Sequence, residues 1–199
     1  MKNLFEITGI SAEEILDSRG NPTLSVTVKT ANSSGVFSVP SGASTGKHEV
    51  LEKRDGDKKR FRGLGVKKCL VSLSEIKKIL LGKDVRNQKE IDAILIKLDG
   101  TKNKQRLGAN LILGISVACA KTAAFTLNIP VYKYLTNLLH TKPSTPYLYL
   151  NLINAGKHAS SYLAFQEYMI VPLVNDVETA LIIADKIKLN GTDCHTVLV

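Results

Sequence analysis

From Leu107 to Ala120 the chain carries no charged side chain, a run of 14 residues. A helix that crosses a bilayer needs about 20 such residues, so this run is predicted to be the central, buried helix of a packed core. The apolar character continues to Phe125, and Asn128-Ile129-Pro130 ends it. A helix of this kind needs other elements to surround it, and their signatures lie on both sides. Upstream, Leu24, Val26 and Val28 alternate with Ser25, Thr27 and Lys29. Period two marks a strand with one covered face. Asn32-Ser33-Ser34-Gly35 then turns the chain into Val36-Phe37-Ser38-Val39, which predicts a hairpin ended by Pro40.

After the hairpin the period becomes helical. Val66, Cys69, Leu70 and Leu73 form one apolar stripe, stopped at Leu81-Gly82. Ile91, Ile94, Leu95 and Leu98 form a second, with Asn87 and Glu90 spaced as a capping box and Gly100 placed to end it. Val131–Leu139 is predicted as one more short helix. His140-Thr-Lys-Pro-Ser-Thr-Pro146 holds two prolines in seven residues and reads as a linker. Beyond it, Tyr147–Ile153 and Phe165–Val171 read as strands and Asp176–Leu189 as a helix. The expected organisation is a first domain over 1–139, a linker over 140–146 and a second piece over 147–199, too small to bury a good core alone.

Charge and cysteines narrow the function classes. The net charge is +9, with a dense basic run of Lys53, Arg54, Lys58, Lys59, Arg60, Arg62, Lys67 and Lys68. Such a run can be a polyanion-binding patch or a solvated loop and helix face. Asp55 and Asp57 interrupt it, and no aromatic residues interleave as base stacking requires, so no nucleic-acid partner is expected. Cys69, Cys119 and Cys194 are odd in number and far apart, which argues against a disulfide framework or a zinc site. Cys69 and Cys119 are expected in the core. Residues 1–17 lack an apolar signal segment, so a soluble cytoplasmic protein with no membrane partner is expected.

Two stretches carry chemistry. Pro40-Ser41-Gly42-Ala43-Ser44-Thr45-Gly46-Lys47 follows a strand directly. It is not a phosphate-binding P-loop, because three residues separate the glycines and His48 stands where a magnesium-binding hydroxyl belongs. A loop whose hydroxyls and carbonyls reach a hard cation and a plain strand-ending turn both fit. The second stretch is Asn151-Leu-Ile-Asn-Ala-Gly-Lys-His158 with Phe165-Gln166-Glu167. Imidazole, amide and carboxylate at one sheet end could hold an anionic hydroxy acid and move protons. A lone histidine on a loop is more often simply exposed, and the pattern alone names no function.

Six motifs, in order along the chain, carry a resemblance. They are Asp17-Ser-Arg-Gly-Asn-Pro-Thr23, Val39-Pro-Ser-Gly-Ala-Ser-Thr-Gly46, Arg54-Asp-Gly-Asp-Lys58, Leu98-Asp-Gly-Thr101, Leu107-Gly-Ala-Asn110 and Phe165-Gln-Glu-Tyr-Met-Ile170. Together they resemble the enolases (phosphopyruvate hydratases) from about Ile10 to Lys188. The resemblance implies an α+β N-terminal domain, a three-stranded antiparallel meander with four helices, followed by the start of an enolase-type α/β barrel. It implies a lyase that dehydrates 2-phosphoglycerate to phosphoenolpyruvate in glycolysis with two magnesium ions (Mg2+), which stabilise the ene-diolate, and a homodimer. By the same resemblance, Ser44 is a magnesium ligand. His158, Gln166 and Glu167 contact substrate, and Glu167 also supports the proton donor.

Departures from the family qualify this. Ala155 and Lys157 stand where the family usually has Gly and Ser beside the loop histidine, and Glu13 where it usually has Arg near the dimer contact. Family proton donor, metal carboxylates and lysines have no counterpart after Lys188. Residues 189–199 read as unrelated to the family, as a frameshift would leave them. The expectation is therefore an incomplete barrel and a C-terminally truncated chain inactive on its own. The alternative is a non-catalytic binding module or a subunit-interaction fragment.

Overall fold

A computed structural model describes residues 3–42, 46–154, 167–174 and 176–190. The chain divides into two compact units, Met1–Lys142 and Pro143–Val199.

The first unit opens with three strands, β1 (Gly9–Leu16), β2 (Pro22–Lys29) and β3 (Ser34–Ser38). They form an antiparallel meander in the order β1-β2-β3, with Ile10 opposite Val28 and Val26 opposite Phe37. Alternation in the sequence finds the β2–β3 hairpin but not β1, where the adjacent Glu13 and Glu14 blur the period. The alternation is also incomplete in space. Ser25 is buried along with Leu24 and Val26, so the middle of β2 is covered on both faces.

Four helices follow: α1 (Lys67–Leu80), α2 (Gln88–Asp99), α3 (Ala109–Thr126) and α4 (Val131–Leu139). As the apolar run demands, α3 lies at the centre, with Leu111, Ile115, Ala118, Cys119, Ala123 and Ala124 buried. At 18 residues it is long and apolar enough to cross a membrane by length and composition, but its place is in this core. Two glycines let it approach the sheet. A Cβ on Gly114 would sit 2.6 Å from a methyl of Val26, and one on Gly35 would sit 2.6 Å from the Ala118 carbonyl oxygen. The Thr122 hydroxyl, 3.0 Å from the Val28 carbonyl oxygen and 2.7 Å from that of Ala118, bonds at the same contact. Cys69 and Cys119 are buried free thiols, pushed up to about 11 and about 12 by desolvation.

The helix ends differ from the sequence expectation in an instructive way. Gly100 does end α2, in the left-handed conformation at φ 67°. Asn87, expected to cap that helix with Glu90, makes no capping bond to the backbone. Its amide instead donates to Glu90, which also accepts from Lys83 at 2.6 Å. At α1 the free N–H groups are satisfied from afar. Asp55 accepts from the amides of Lys67 (3.1 Å) and Lys68 (2.7 Å), and Glu14 from that of Val66 (2.8 Å). Arg60 bridges the same two carboxylates.

That arrangement revises the basic run. Lys53 donates to Ser72 and the Arg106 carbonyl, Arg54 to the Pro22 and Leu64 carbonyls, and Lys68 to the Asp55 carbonyl. With Arg60, these four cations hold the 53–68 segment in place, and the description as a solvated face fits only the rest of the run. Exposed Lys58, Lys59, Arg62 and Lys67 form that remainder.

The described part of the second unit holds β4 (Leu150–Asn154), β5 (Glu167–Ile170) and α5 (Val177–Asn190). The two strands pair antiparallel with an irregularity between Asn151 and Ile153. β4 starts three residues later than Tyr147, where periodicity places it, and Tyr147 and Tyr149 are exposed. Asp176 caps α5 by accepting from the Thr179 amide at 2.7 Å. A two-stranded sheet and one helix are the regular structure among its described residues.

Candidate functional site

Of the residues singled out from sequence, Ser44, His158 and Gln166 lie outside the described residues. Glu167 is described. It opens β5, pairs with Asn154 and is exposed. What the structure shows in detail is the ground from which the Ser44 segment departs.

Asp17 builds the turn between β1 and β2. Its carboxylate accepts from the amides of Arg19 (2.9 Å) and Asn21 (2.8 Å), and Gly20 takes φ 75°. The Asn21 amide, with burial opposing and the Arg19 amide adding, holds the Asp17 carboxyl below its ordinary range. This local folding aims Arg19 across at β3's exit, where its guanidinium donates to the Ser41 carbonyl at 2.7 Å. Asp17 lies 3.5 Å from the same guanidinium.

Ser41 is gripped from its other side too. Its hydroxyl donates to Glu52 at 2.9 Å and accepts from Arg54 at 2.9 Å, while Arg54 also pairs directly with Glu52. The Thr23 hydroxyl donates to the Val39 carbonyl at 2.6 Å just before this point. Thus Asp17-Ser-Arg-Gly-Asn-Pro-Thr23 and Arg54-Asp-Gly-Asp-Lys58 converge on the start of Val39-Pro-Ser-Gly-Ala-Ser-Thr-Gly46. Sequence reasoning singled out none of Arg19, Ser41, Glu52 or Arg54 individually. They sit up to 35 positions apart, and no periodicity links them. The one available signal was that Arg19, Ser41 and Arg54 fall within quoted motifs; Glu52 lies in none of them.

The family model for "Enolase, N-terminal domain" matches residues 7–135, from just before β1 into α4. The chain belongs to the enolase family. Enolase of Pyrococcus furiosus is 50% identical over 177 residues, covering 88% of this chain and 40% of the relative. Enolase of Thermococcus gammatolerans is 51% identical over 176 residues, covering 87% and 40%. That of Methanosarcina mazei is 52% identical over 169 residues, covering 84% and 39%. The chain therefore spans about 40% of the length of these curated enolases. The three-stranded antiparallel sheet with helices is the enolase N-terminal domain.

The fit of a metal can be tested on the described side chains. Among them, no group of three or more His, Cys, Asp or Glu residues is placed to hold an ion. Four carboxylates of the first unit are already committed: Asp55 and Glu14 to α1 and Arg60, Asp17 to its turn, Glu52 to Arg54. Magnesium thus has no site among the described residues.

Proposed function

We propose that this chain supplies the N-terminal domain and the opening of the barrel of a glycolytic, cytoplasmic lyase that converts 2-phosphoglycerate to phosphoenolpyruvate. One observation carries the reading: identity of about half to three enolases across 84% or more of the chain. The reaction removes a very weakly acidic proton beside a carboxylate, so stabilising the developing charge is the main task. In the family, bound magnesium supplies that stabilisation.

In this reading Ser44 reaches a magnesium ion, His158 and Gln166 contact substrate, and Glu167 contacts the leaving hydroxyl and supports the proton donor. Glu167 suits such a role in being an exposed carboxylate at a strand end. A partner of the same kind, in a homodimer, follows from the family. Glu13, exposed on the edge strand β1, weakens that contact relative to the usual Arg. These 199 residues contain no counterpart of the family's metal carboxylates or active-site lysines, so alone they carry out no turnover.

The test is an assay of magnesium-dependent phosphoenolpyruvate formation. The chain is assayed alone and mixed with a separately expressed C-terminal remainder of the P. furiosus enolase. Turnover only in the mixture supports the reading. Turnover by the chain alone contradicts its inactivity, and a mixture that forms a complex yet stays inactive contradicts the assignment of catalytic parts.

A further inference from the structure

The basic remainder of the 53–68 segment is displayed by a loop of unusual backbone. The Asp55 N–H donates to the Gly65 carbonyl at 2.7 Å and the Gly56 N–H to that of Gly63 at 2.9 Å, which closes a loop over residues 57–62. Four of those six residues are cationic. Phe61 and Arg62 both adopt the left-handed conformation, at φ 46° and 54°. Glycine or asparagine enters that region with little strain, whereas residues as bulky as these do not. A turn needed only to connect β3 to α1 would be more stable with glycine there. The strain has a visible product. The phenyl ring of Phe61 stands 44% exposed. The Arg60 guanidinium, itself tied to Glu14 and Asp55, lies 4.9 Å from its centroid. Lys58, Lys59, Arg62 and Lys67 are exposed, and none of their side chains forms a hydrogen bond or ion pair with a described residue. Beside the loop is an open depression of about 520 Å³ walled by Gly56, Asp57, Lys67, Lys68 and Val71, and Val71 is 76% exposed.

We propose that this loop and depression form a docking surface for an acidic segment of another protein, one that carries an apolar side chain between its carboxylates. The four unpaired cations meet the carboxylates, and Phe61 and Val71 meet the apolar side chain. A nucleic-acid strand fits worse. One aromatic ring, with Arg60 already over it, offers no succession of stacking platforms, and Asp57 stands among the lysines where a phosphate backbone would pass. The surface lies wholly within Met1–Lys142 and uses none of the residues assigned to the lyase chemistry.

The experiment measures the fluorescence anisotropy of a labelled peptide of glutamate pairs separated by leucines, titrated with the whole chain at low and at physiological salt. Binding is expected at low salt and should weaken as salt screens the exposed charges. The triple variant Lys58→Gln/Lys59→Gln/Arg62→Gln should bind roughly tenfold more weakly. Lys78→Gln/Lys97→Gln/Lys133→Gln removes the same charge from exposed positions elsewhere and should keep the affinity within about twofold. Phe61→Ala should weaken binding about threefold. Arg62→Gly relieves the left-handed strain, so the thermal midpoint should not fall while the affinity does. Absence of binding at low salt overturns the proposal, as does an equal loss in both triple variants. Equal or tighter binding of a labelled oligothymidylate shows a nucleic-acid surface and overturns it. So does a shift from dimer to monomer in sedimentation velocity of the first triple variant, because that makes the loop a contact between copies of this chain.

Discussion

The sheet of the first unit and the sheet of the second differ in what covers them. β2 has a strand on each side and α3 across one face, and Leu24, Val26 and Val28 are completely enclosed. β4 pairs only with β5 among the described residues, and the side chains of β5 are largely exposed. The buried hydrophobic cluster runs from Ile7 to Tyr134, entirely within Met1–Lys142. In the second unit, Pro172 and Ala180 are the buried residues among those described, while Leu173, Val177, Leu181, Ile182 and Ile187 face outward. Strand pairing alone satisfies backbone groups but removes little apolar surface from water, and a two-stranded hairpin is marginal in isolation. The comparison teaches that the two units have comparable local patterns and very different means of stability.

The largest effect should come from separating them. A polypeptide ending at Lys142 is expected to keep a cooperative thermal transition. Residues 143–199 alone should show none by circular dichroism and should be poorly soluble, because exposed apolar side chains favour association. A cooperative melt of 143–199 would break the contrast.

Truncating matched side chains sharpens it. Leu111→Ala, at the centre of α3, should cost roughly 3 kcal/mol in urea unfolding. Ile182→Ala in α5, an exposed position, should cost no more than about 0.5 kcal/mol. Gly35→Ala should fall between, at about 1–3 kcal/mol, because the new methyl meets the α3 backbone rather than a movable side chain.

The smallest effect is electrostatic. The Arg60 guanidinium, with help from the Val66 amide and against burial, holds the Glu14 carboxyl below its ordinary value of 4.5. A lowered folded-state value means that the stabilisation is present above the unfolded value and is lost as the pH falls through the folded one. Stability of the first unit should therefore decline as the pH drops below about 4.5. Glu14→Gln should lower stability at neutral pH and flatten that acid limb, seen as a reduced slope of the thermal midpoint against pH.

The sequence was most legible where one element decides its own fate. Pro130 and the residues after it mark α4 from Val131 to Leu139, and Gly100 marks the end of α2 because a left-handed residue is needed there. The apolar run Leu107–Ala120 fixes α3 as central because no other placement hides it. Legibility ended where distant segments cooperate. The partners of the α1 amides come from Asp55 and Glu14, and the latter is 52 positions away from Val66. β1 hides its strand character behind two adjacent glutamates, one of which is the structural partner of Arg60. The same holds for the candidate site. Motifs pointed to Ser44, but the grip on Ser41 by Arg19, Glu52 and Arg54 appears only once three segments are brought together.

Hydrogen exchange across the whole chain tests the contrast most directly. Amides of β2 and α3 should exchange only through global unfolding, whereas those of β4, β5 and α5 should exchange many orders of magnitude faster through local opening. Equal, slow exchange in both units would show that the second has a core of its own and would contradict the account.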